Sequence, residues 1–152
     1  MNDQFFTDEE FNNINFSEGN FKTADYENCV FLNCNFSGAN LSDSKFIECE
    51  FEECDLSNCG LSKTALQNCN FSRSKLIGLN FDHCESFAFS ISAEESVFDH
   101  SVFYNVNLAK TRLVNCKLRN TDLSGCDLNT SNLTGCDFKD AIFENTNLEK
   151  PI

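Results

Sequence analysis

Large apolar residues recur at every fifth position over most of the chain. Every fifth residue from Phe6 to Phe81 is Phe, Leu or Tyr, and a second series of Phe and Leu runs from Phe98 to Leu148. A small residue, usually Cys, Ala, Ser or Thr, precedes most of the large ones by two positions. An α-helix needs apolar spacings of three and four, and a long strand needs two. The pattern therefore predicts short extended segments separated by turns, each pointing one large and one small side chain inward.

Such segments bury almost nothing alone, so they must stack into a solenoid with a continuous core. Stacked coils lie about 4.8 Å apart, the spacing of hydrogen-bonded strands. A chain of 152 residues is the length of a single domain. We therefore expect one domain over residues 1–152.

The repeating unit resembles the consensus of the pentapeptide-repeat family. The clearest units are Cys34-Asn35-Phe36-Ser37-Gly38 and Cys126-Asp127-Leu128-Asn129-Thr130, and the resemblance covers about residues 11–150. It implies an all-β fold, a right-handed quadrilateral parallel β-helix with four pentapeptides in each coil. Residues twenty apart should then stack directly.

Stacking at this interval places opposite charges on neighbouring coils. The expected pairs are Glu53 with Arg73, Asp55 with Lys75, Asp43 with Lys63, and Lys117 with Asp137. Exposed ion pairs contribute only about 0–1 kcal/mol each. The pairs thus support the predicted register and add little stability.

The two apolar series differ in register by two residues, so the repeat is interrupted between them. Ser86 is polar where a large apolar residue is expected, and Ile91 fits the large position of one series and the small position of the other. The interruption is either a protruding loop that contacts a partner or an accommodation between two coil stacks. The predicted segments are an N-terminal cap at 1–10, a first coil stack at 11–85, a register break at 86–95 and a second coil stack at 96–150.

Both ends of a β-helix expose unpaired backbone and apolar side chains. At the N-terminal end, Thr7-Asp8-Glu9-Glu10 has the form of a helix capping box, which predicts a helical plug. At the other end, the candidate dimer contact comprises Phe138, Phe143 and Leu148, which would meet their symmetry mates end to end. The alternatives are a monomer with a frayed last coil and a segment of a longer chain.

All ten cysteines occupy the small inward position. Cys29, Cys49 and Cys69 are twenty apart and should form a ladder, whose single-file thiols do not converge as a tetrahedral zinc site requires. Parallel side chains in a dry core are also poorly aimed for disulfides. We expect free thiols acting as small buried apolar groups, and a reducing, cytoplasmic location.

Composition limits the function further. The net charge of −13 and the pI near 4.4 argue against direct nucleic-acid binding, which needs a basic surface. No apolar run is long enough to span a membrane, and the acidic N-terminus lacks the layout of a secretory signal. No catalytic constellation, metal-ligand spacing or phosphate-binding loop stands out. We therefore expect no enzyme, no cofactor and no metal.

A local acidic cluster is the sharpest surface feature and the candidate partner-binding surface. Its members are Glu48, Glu50, Glu52, Glu53 and Asp55. They form either a docking patch for a basic partner or a solvated face partly neutralised by neighbouring bases. The chain is thus expected to be a non-catalytic protein-binding or scaffolding module of unknown partner.

The family resemblance adds an alternative function. Quinolone-resistance and microcin-immunity members of the family are acidic rods that imitate duplex DNA and bind type II topoisomerases. By resemblance, this chain would be a DNA mimic that binds DNA gyrase and modulates quinolone or toxin sensitivity.

Overall fold

The computed structural model describes residues 2–149 and folds them into a parallel β-helix. Short strands form two sheets, in the orders β1-β3-β5-β7 and β10-β9-β8-β6-β4-β2. The strands are β1 (Phe5–Thr7), β2 (Glu10–Asn12), β3 (Asp25–Glu27), β4 (Val30–Leu32), β5 (Lys45–Ile47), β6 (Glu50–Glu52), β7 (Ala65–Gln67), β8 (Cys69–Ser72), β9 (Ile91–Glu94) and β10 (Leu113–Val114). One 3₁₀ helix spans Phe81–His83. The predicted fold class is confirmed.

Successive coils stack in the predicted register of twenty residues. Phe31 lies opposite Phe51, and Phe51 lies opposite Phe71. Each coil has four sides, which we number face 1 to face 4 by the central residues Phe46, Phe51, Leu56 and Leu61. Regular strands lie on faces 1 and 2. Isolated bridges join the coils on faces 3 and 4, and they also join the last coils on faces 1 and 2.

The interior is filled by the two inward positions of each pentapeptide. Phe51 is 1% exposed, and its ring stacks on Phe31 at a centroid distance of 4.8 Å and on Phe71 at 4.9 Å. The small position is equally enclosed, since the thiol of Cys49 donates to the carbonyl of Tyr26 at 3.3 Å. Eight of the ten cysteines are buried, which confirms their inward placement, and Cys84 and Cys136 are half-buried.

The chain turns each corner through a residue with positive φ, most often Asn or Gly. These residues adopt the left-handed region at the least cost. Gly125 has φ 71°, and a Cβ there would lie 1.9 Å from Oδ1 of Asn105, one coil earlier. The Asn or Asp before the central residue secures the turn: Oδ1 of Asp127 accepts the N–H of Asn129 at 2.9 Å.

The register break is confirmed as an addition of two residues. Strand β9 pairs with β8 at an offset of twenty-two, with Cys69 opposite Ile91 and Phe71 opposite Ala93. Ile91 is buried at the small position of face 2. Because β9 is already regular, the irregular residues end at Ser90, five residues earlier than the segment 86–95 proposed from sequence.

The predicted helical plug at the N-terminus is wrong. Thr7 ends strand β1, Asp8 turns a corner with φ 57°, and Glu10 begins strand β2. Phe6 stacks on Tyr26 at 5.0 Å. The pentapeptide period already governs these residues, and their ladder bonds to the next coil replace the local bonds of a capping box.

Candidate protein-binding surfaces

The acidic cluster is brought together on face 2 and its two corners. Glu50 and Glu52 are the outward residues of β6, on either side of buried Phe51. Glu48 and Glu53 are corner residues, each with φ 53°. The cluster is therefore a short ridge across one coil, with Asp55 beginning face 3.

The negative charge of part of this ridge is neutralised by a basic residue of the next coil. Arg73, one coil later, forms ion pairs with Glu52 and with Glu53, the latter at 3.5 Å. Asp55 accepts the N–H of Ser57 at 2.9 Å. Within residues 2–149, no basic nitrogen lies within 4.0 Å of a carboxylate of Glu48 or Glu50. These two carboxylates are the part of the cluster that remains free for a partner.

Of the four predicted charge pairs, only Glu53 with Arg73 comes within 4.0 Å. The residues of two others stack as expected, in the bridges between Asp55 and Lys75 and between Lys117 and Asp137. Their charged groups stay apart, because the carboxylates of Asp55 and Asp137 accept local backbone N–H groups at 2.9 and 3.0 Å.

Charge is distributed unevenly around the rod. Face 2 and the corner that follows it carry an excess of acids: Glu9, Glu10, Glu50, Glu52, Glu53, Glu94 and Glu95, against Arg73 and Arg112. Face 3 and its corner are nearly balanced: Glu18, Asp55, Asp99, Asp137 and Asp140, against Lys75, Lys117, Arg119 and Lys139. Face 1 and the corner that follows it carry the same excess as face 2: Asp8, Asp25, Glu27, Glu48, Glu85, Asp127 and Glu149, against Lys45 and Lys110. The negative charge is thus concentrated on the adjacent faces 1 and 2.

One ion pair on face 3 was not anticipated from sequence. Asp99 is buried, and its Oδ2 accepts hydrogen bonds from Nε and Nη2 of Arg119 at 2.9 and 2.6 Å. Burial acts to raise the pKa of Asp99, but the hydrogen bonds and charge of Arg119 outweigh it and hold that pKa below its usual value. Asp99 and Arg119 are twenty residues apart in the sequence, so the predicted stacking interval already places them on neighbouring coils.

The break loop, residues 84–90, stands out from face 1. Phe87 at its tip is 76% exposed. Phe89 turns back towards the core, with its ring centroid 6.4 Å from that of Phe81. Between the loop and residues 104–107 of the following coil lies a cavity of about 330 Å³. The break is therefore a protruding loop with a recess on one side.

The candidate dimer end is the most exposed part of the apolar column. Phe138 is half-buried, Phe143 is 36% exposed and Leu148 is 46% exposed. At the other end, Phe6, Phe11 and Phe16 are also half-buried. Both described ends thus expose apolar side chains.

No group of three or more His, Cys, Asp or Glu residues within 2–149 is arranged to hold a metal ion. Burial raises the pKa of the Cys59 and Cys126 thiols to about 12, so both are protonated at neutral pH. In the same part of the chain, no helix is long and apolar enough to cross a membrane.

Comparison with known proteins identifies the family. The model of the pentapeptide repeat region matches residues 4–81 and 90–151. The chain therefore belongs to the pentapeptide-repeat family, and the gap between the matched segments falls on the break. No curated protein sequence matches it.

Solved structures share the fold. Two trypsin-treated variants of QnrB1, a plasmid-mediated fluoroquinolone resistance protein, match with TM-scores of 0.58 and 0.55, at 21% and 20% identity. The alignments cover 93% and 95% of this chain and 78% and 79% of those chains. At this level of identity, the likeness concerns the fold alone.

Proposed function

We propose that this chain is a non-catalytic rod that binds a basic surface of a protein partner through face 2, in the cytoplasm. The observation that carries the proposal is the pair of unneutralised carboxylates, Glu48 and Glu50, on the more acidic side of the rod. Face 2 is built from stacked strands, so its charges are held in a fixed array. Such an array speeds association with a complementary surface and selects against acidic partners.

A non-catalytic role is supported by the filled interior. Thiols and hydroxyls at the small position donate to backbone carbonyls, as Thr64 does to Leu41 at 2.7 Å and Ser131 to Leu108. Groups held in this way are sealed from substrates. The buried thiols and hydroxyls of this chain are therefore assigned to structure.

The experiment compares charge removal on two faces. Glu48→Gln with Glu50→Gln removes the free carboxylates, and Asp137→Asn with Asp140→Asn removes the same charge from face 3 as a control. Proteins captured from a cell extract should be lost with the face 2 variant only, and the loss should be reproduced with the purified partner. Equal capture by both variants would refute a role for face 2.

The second candidate is a DNA mimic directed at DNA gyrase. It is favoured by the one-sided negative charge along the rod and by a fold shared with a fluoroquinolone resistance protein. The purified chain should inhibit gyrase supercoiling or protect the enzyme from quinolones, and the face 2 variant should not. Unchanged supercoiling at a large excess of the rod excludes this candidate and leaves the general one standing.

The rod is also proposed to pair end to end with a second copy. Phe143 and Leu148 would lose exposed apolar area in such a contact. The resulting dimer would double the length of the acidic surface. Its test is given with the predictions below.

A further inference from the structure

The break leaves a gap in the wall of the rod on face 1. Glu85 N–H bonds to Thr64 O at 2.8 Å, and Ser90 N–H bonds to Leu66 O at 3.0 Å, so both ends of the break loop are fixed to the preceding coil. Towards the following coil, the described part of the chain shows no backbone hydrogen bond from the loop. The loop therefore follows the coil before it and leaves space on its other side.

Backbone groups of the following coil face this space without a partner. In the regular ladder, Ser124 O accepts an N–H of the preceding coil at 2.9 Å, and Asp127 O does so at 2.8 Å. Tyr104 and Asn107 occupy the same two positions of the repeat one coil earlier. Within residues 2–149, their carbonyls accept no backbone N–H. Two carbonyl oxygens are therefore free to accept hydrogen bonds from a ligand.

The space reaches inward as far as the small position of the loop. Cys84, which occupies this position, is half-buried and lines the space. The other nine thiols each donate to a backbone carbonyl, as Cys126 does to Phe103 at 2.7 Å. Among the described residues, the Cys84 thiol has no such acceptor. The loop thus departs from the ladder inside the rod as well as at its surface.

The resulting cavity combines apolar and acidic residues. Its volume of about 330 Å³ is at the lower end of the range for ligand-binding sites. Apolar surface comes from Phe81, Phe89 and Val106, and two acids, Asp82 and Glu85, line the same space. Of the described residues that line it, none is Lys, Arg or His.

The protein leaves these two acids largely without a cation. In residues 2–149, the one basic nitrogen within 4.0 Å of either carboxylate is Nε2 of His83, at 3.8 Å from Oδ2 of Asp82. The side chain of His83 is 57% exposed. The cavity is therefore acidic, and most of its unpaired polar groups are hydrogen-bond acceptors.

We propose that the cavity binds a small organic cation that carries an ammonium group on a short apolar stem. An ammonium group has three N–H donors and no acceptor, which suits a lining of carboxylates and free carbonyls. Its hydrogen bonds to Asp82 and Glu85 are charge-assisted. The stem packs against Phe81, Phe89 and Val106. The site lies on face 1 and is independent of the protein binding proposed for face 2.

Titration of the rod with butylamine, 1-butanol and butyrate, followed by NMR of the backbone amides, tests the class of ligand. The probes have similar chains and differ in charge. Butylamine should bind at least about tenfold more tightly than 1-butanol, as expected for hydrogen bonds to charged groups, and butyrate should not bind. Saturable shifts should be confined to amides that line the cavity, including that of Asn107. Equal binding of butylamine and 1-butanol overturns the proposal, as do shifts that spread along faces 1 and 2 without saturating at Asn107.

A lysine side chain of a protein offers the same ammonium group as a free amine. Nα-acetyl-lysine methylamide carries that group beside a peptide backbone and therefore distinguishes the two sources. Tighter binding of butylamine assigns the cavity to a free amine, and tighter binding of the lysine derivative assigns it to a lysine side chain. A titration in which neither compound binds refutes the proposal.

A matched pair of variants locates the site. Asp82→Asn removes a carboxylate of the cavity and should weaken butylamine binding by about tenfold. Glu144→Gln, at the same repeat position outside the cavity, should leave binding unchanged. Equal weakening by both variants refutes the site. Failure of partner capture through face 2, with amine binding intact, counts against the proposed function alone, and the reverse result counts against the cavity site alone.

A register-repaired variant tests whether the break creates the site. Deleting Phe87 and Ala88, together with Ser86→Leu, restores five residues to this side of the coil and should close the cavity. In a folded variant, the amide of Asn107 should exchange more slowly than in the natural protein, because the loop can now pair with it. Loss of butylamine binding by that variant supports the proposal, and undiminished binding refutes it. Asp82→Asn keeps the test decisive if the repaired chain does not fold.

Discussion

Phe51→Ala removes a ring from the centre of the apolar column. Phe51 is 1% exposed, and its ring lies between the parallel rings of Phe31 and Phe71, at interplanar angles of 8° and 15°. The edges of Phe36 and Phe46 meet it at 5.9 and 5.6 Å. The substitution therefore breaks four aromatic contacts and leaves a void inside a closed coil.

The cost of this void follows from how little the coil can relax. Buried Phe→Ala changes cost about 3–5 kcal/mol, and the value rises with the volume that stays empty. Strand β6 is hydrogen-bonded to a coil on each side, which fixes the wall around the void. We therefore expect a loss of about 4–5 kcal/mol. Cys49→Ala removes a single sulfur atom beside the same ring and should cost about 1 kcal/mol.

Urea unfolding followed by circular dichroism measures these losses. Phe143→Ala is the matched control for position, because Phe143 is a central residue but is 36% exposed and has one ring neighbour, at 5.4 Å. It should cost about 1–2 kcal/mol. Equal losses for Phe51→Ala and Cys49→Ala, or for Phe51→Ala and Phe143→Ala, would refute the assignment of the closed core.

Three further predictions follow from the structure. Thiol labelling of the native protein can be followed by intact mass. Cys136 should react first, because it is half-buried and the neighbouring Cys116 thiol lowers its pKa; faster reaction of a fully buried thiol would contradict this. Arg119 lowers the pKa of Asp99, so their interaction stabilises the fold above about pH 4 and is lost as the pH falls through that lowered pKa. Arg119→Met should accordingly be less stable than the natural protein at pH 7 in urea titrations, by a margin that shrinks in acid. Light scattering should find a dimer that Phe143→Glu converts to a monomer; a monomeric natural rod excludes the end-to-end contact.

The fold could be predicted because its determinants are periodic. Each pentapeptide supplies the same pair of inward residues. The same pattern is therefore repeated along nearly the whole chain, which distinguishes it from a coincidental spacing of apolar residues. The corner conformation is also encoded in the sequence. Residues such as Asn28, Asn33 and Asn68 lie two positions after a large residue and have positive φ. The recurrence of Asn there is the mark of a left-handed turn.

Local motifs were a poorer guide where they competed with the period. Thr7 to Glu10 has the residue types of a capping box, yet Glu9 O accepts Val30 N–H at 2.9 Å, as any coil residue would. The ladder between coils satisfies backbone groups that a helix would otherwise have to satisfy. A short motif inside a long repeat therefore has little predictive value.

The break shows where prediction from sequence stops. A shift of two residues between the apolar series was enough to place it. The direction of the loop depends on bonds that no pattern specifies, such as His83 N–H turning back to Asn80. That turn leaves the carbonyl of Tyr104 without the backbone partner that the regular ladder would supply, and nothing in the sequence around Tyr104 marks this.

These features suggest where a repeat of this kind can acquire specificity. A regular coil uses its backbone groups on its neighbours and its inward side chains on the core, which leaves only outward side chains for recognition. Charges at those positions change stability by about 0–1 kcal/mol each, so a face such as face 2 can be altered at little cost to the fold. A partner can bind backbone groups only where the repeat is interrupted, because N–H and C=O groups lack partners in the neighbouring coils only there. In this chain the interruption at residues 84–90 leaves the N–H of Asn107 and the carbonyls of Asn107 and Ala109 without backbone partners within residues 2–149, beside an acidic recess. The stack on the other faces is not interrupted.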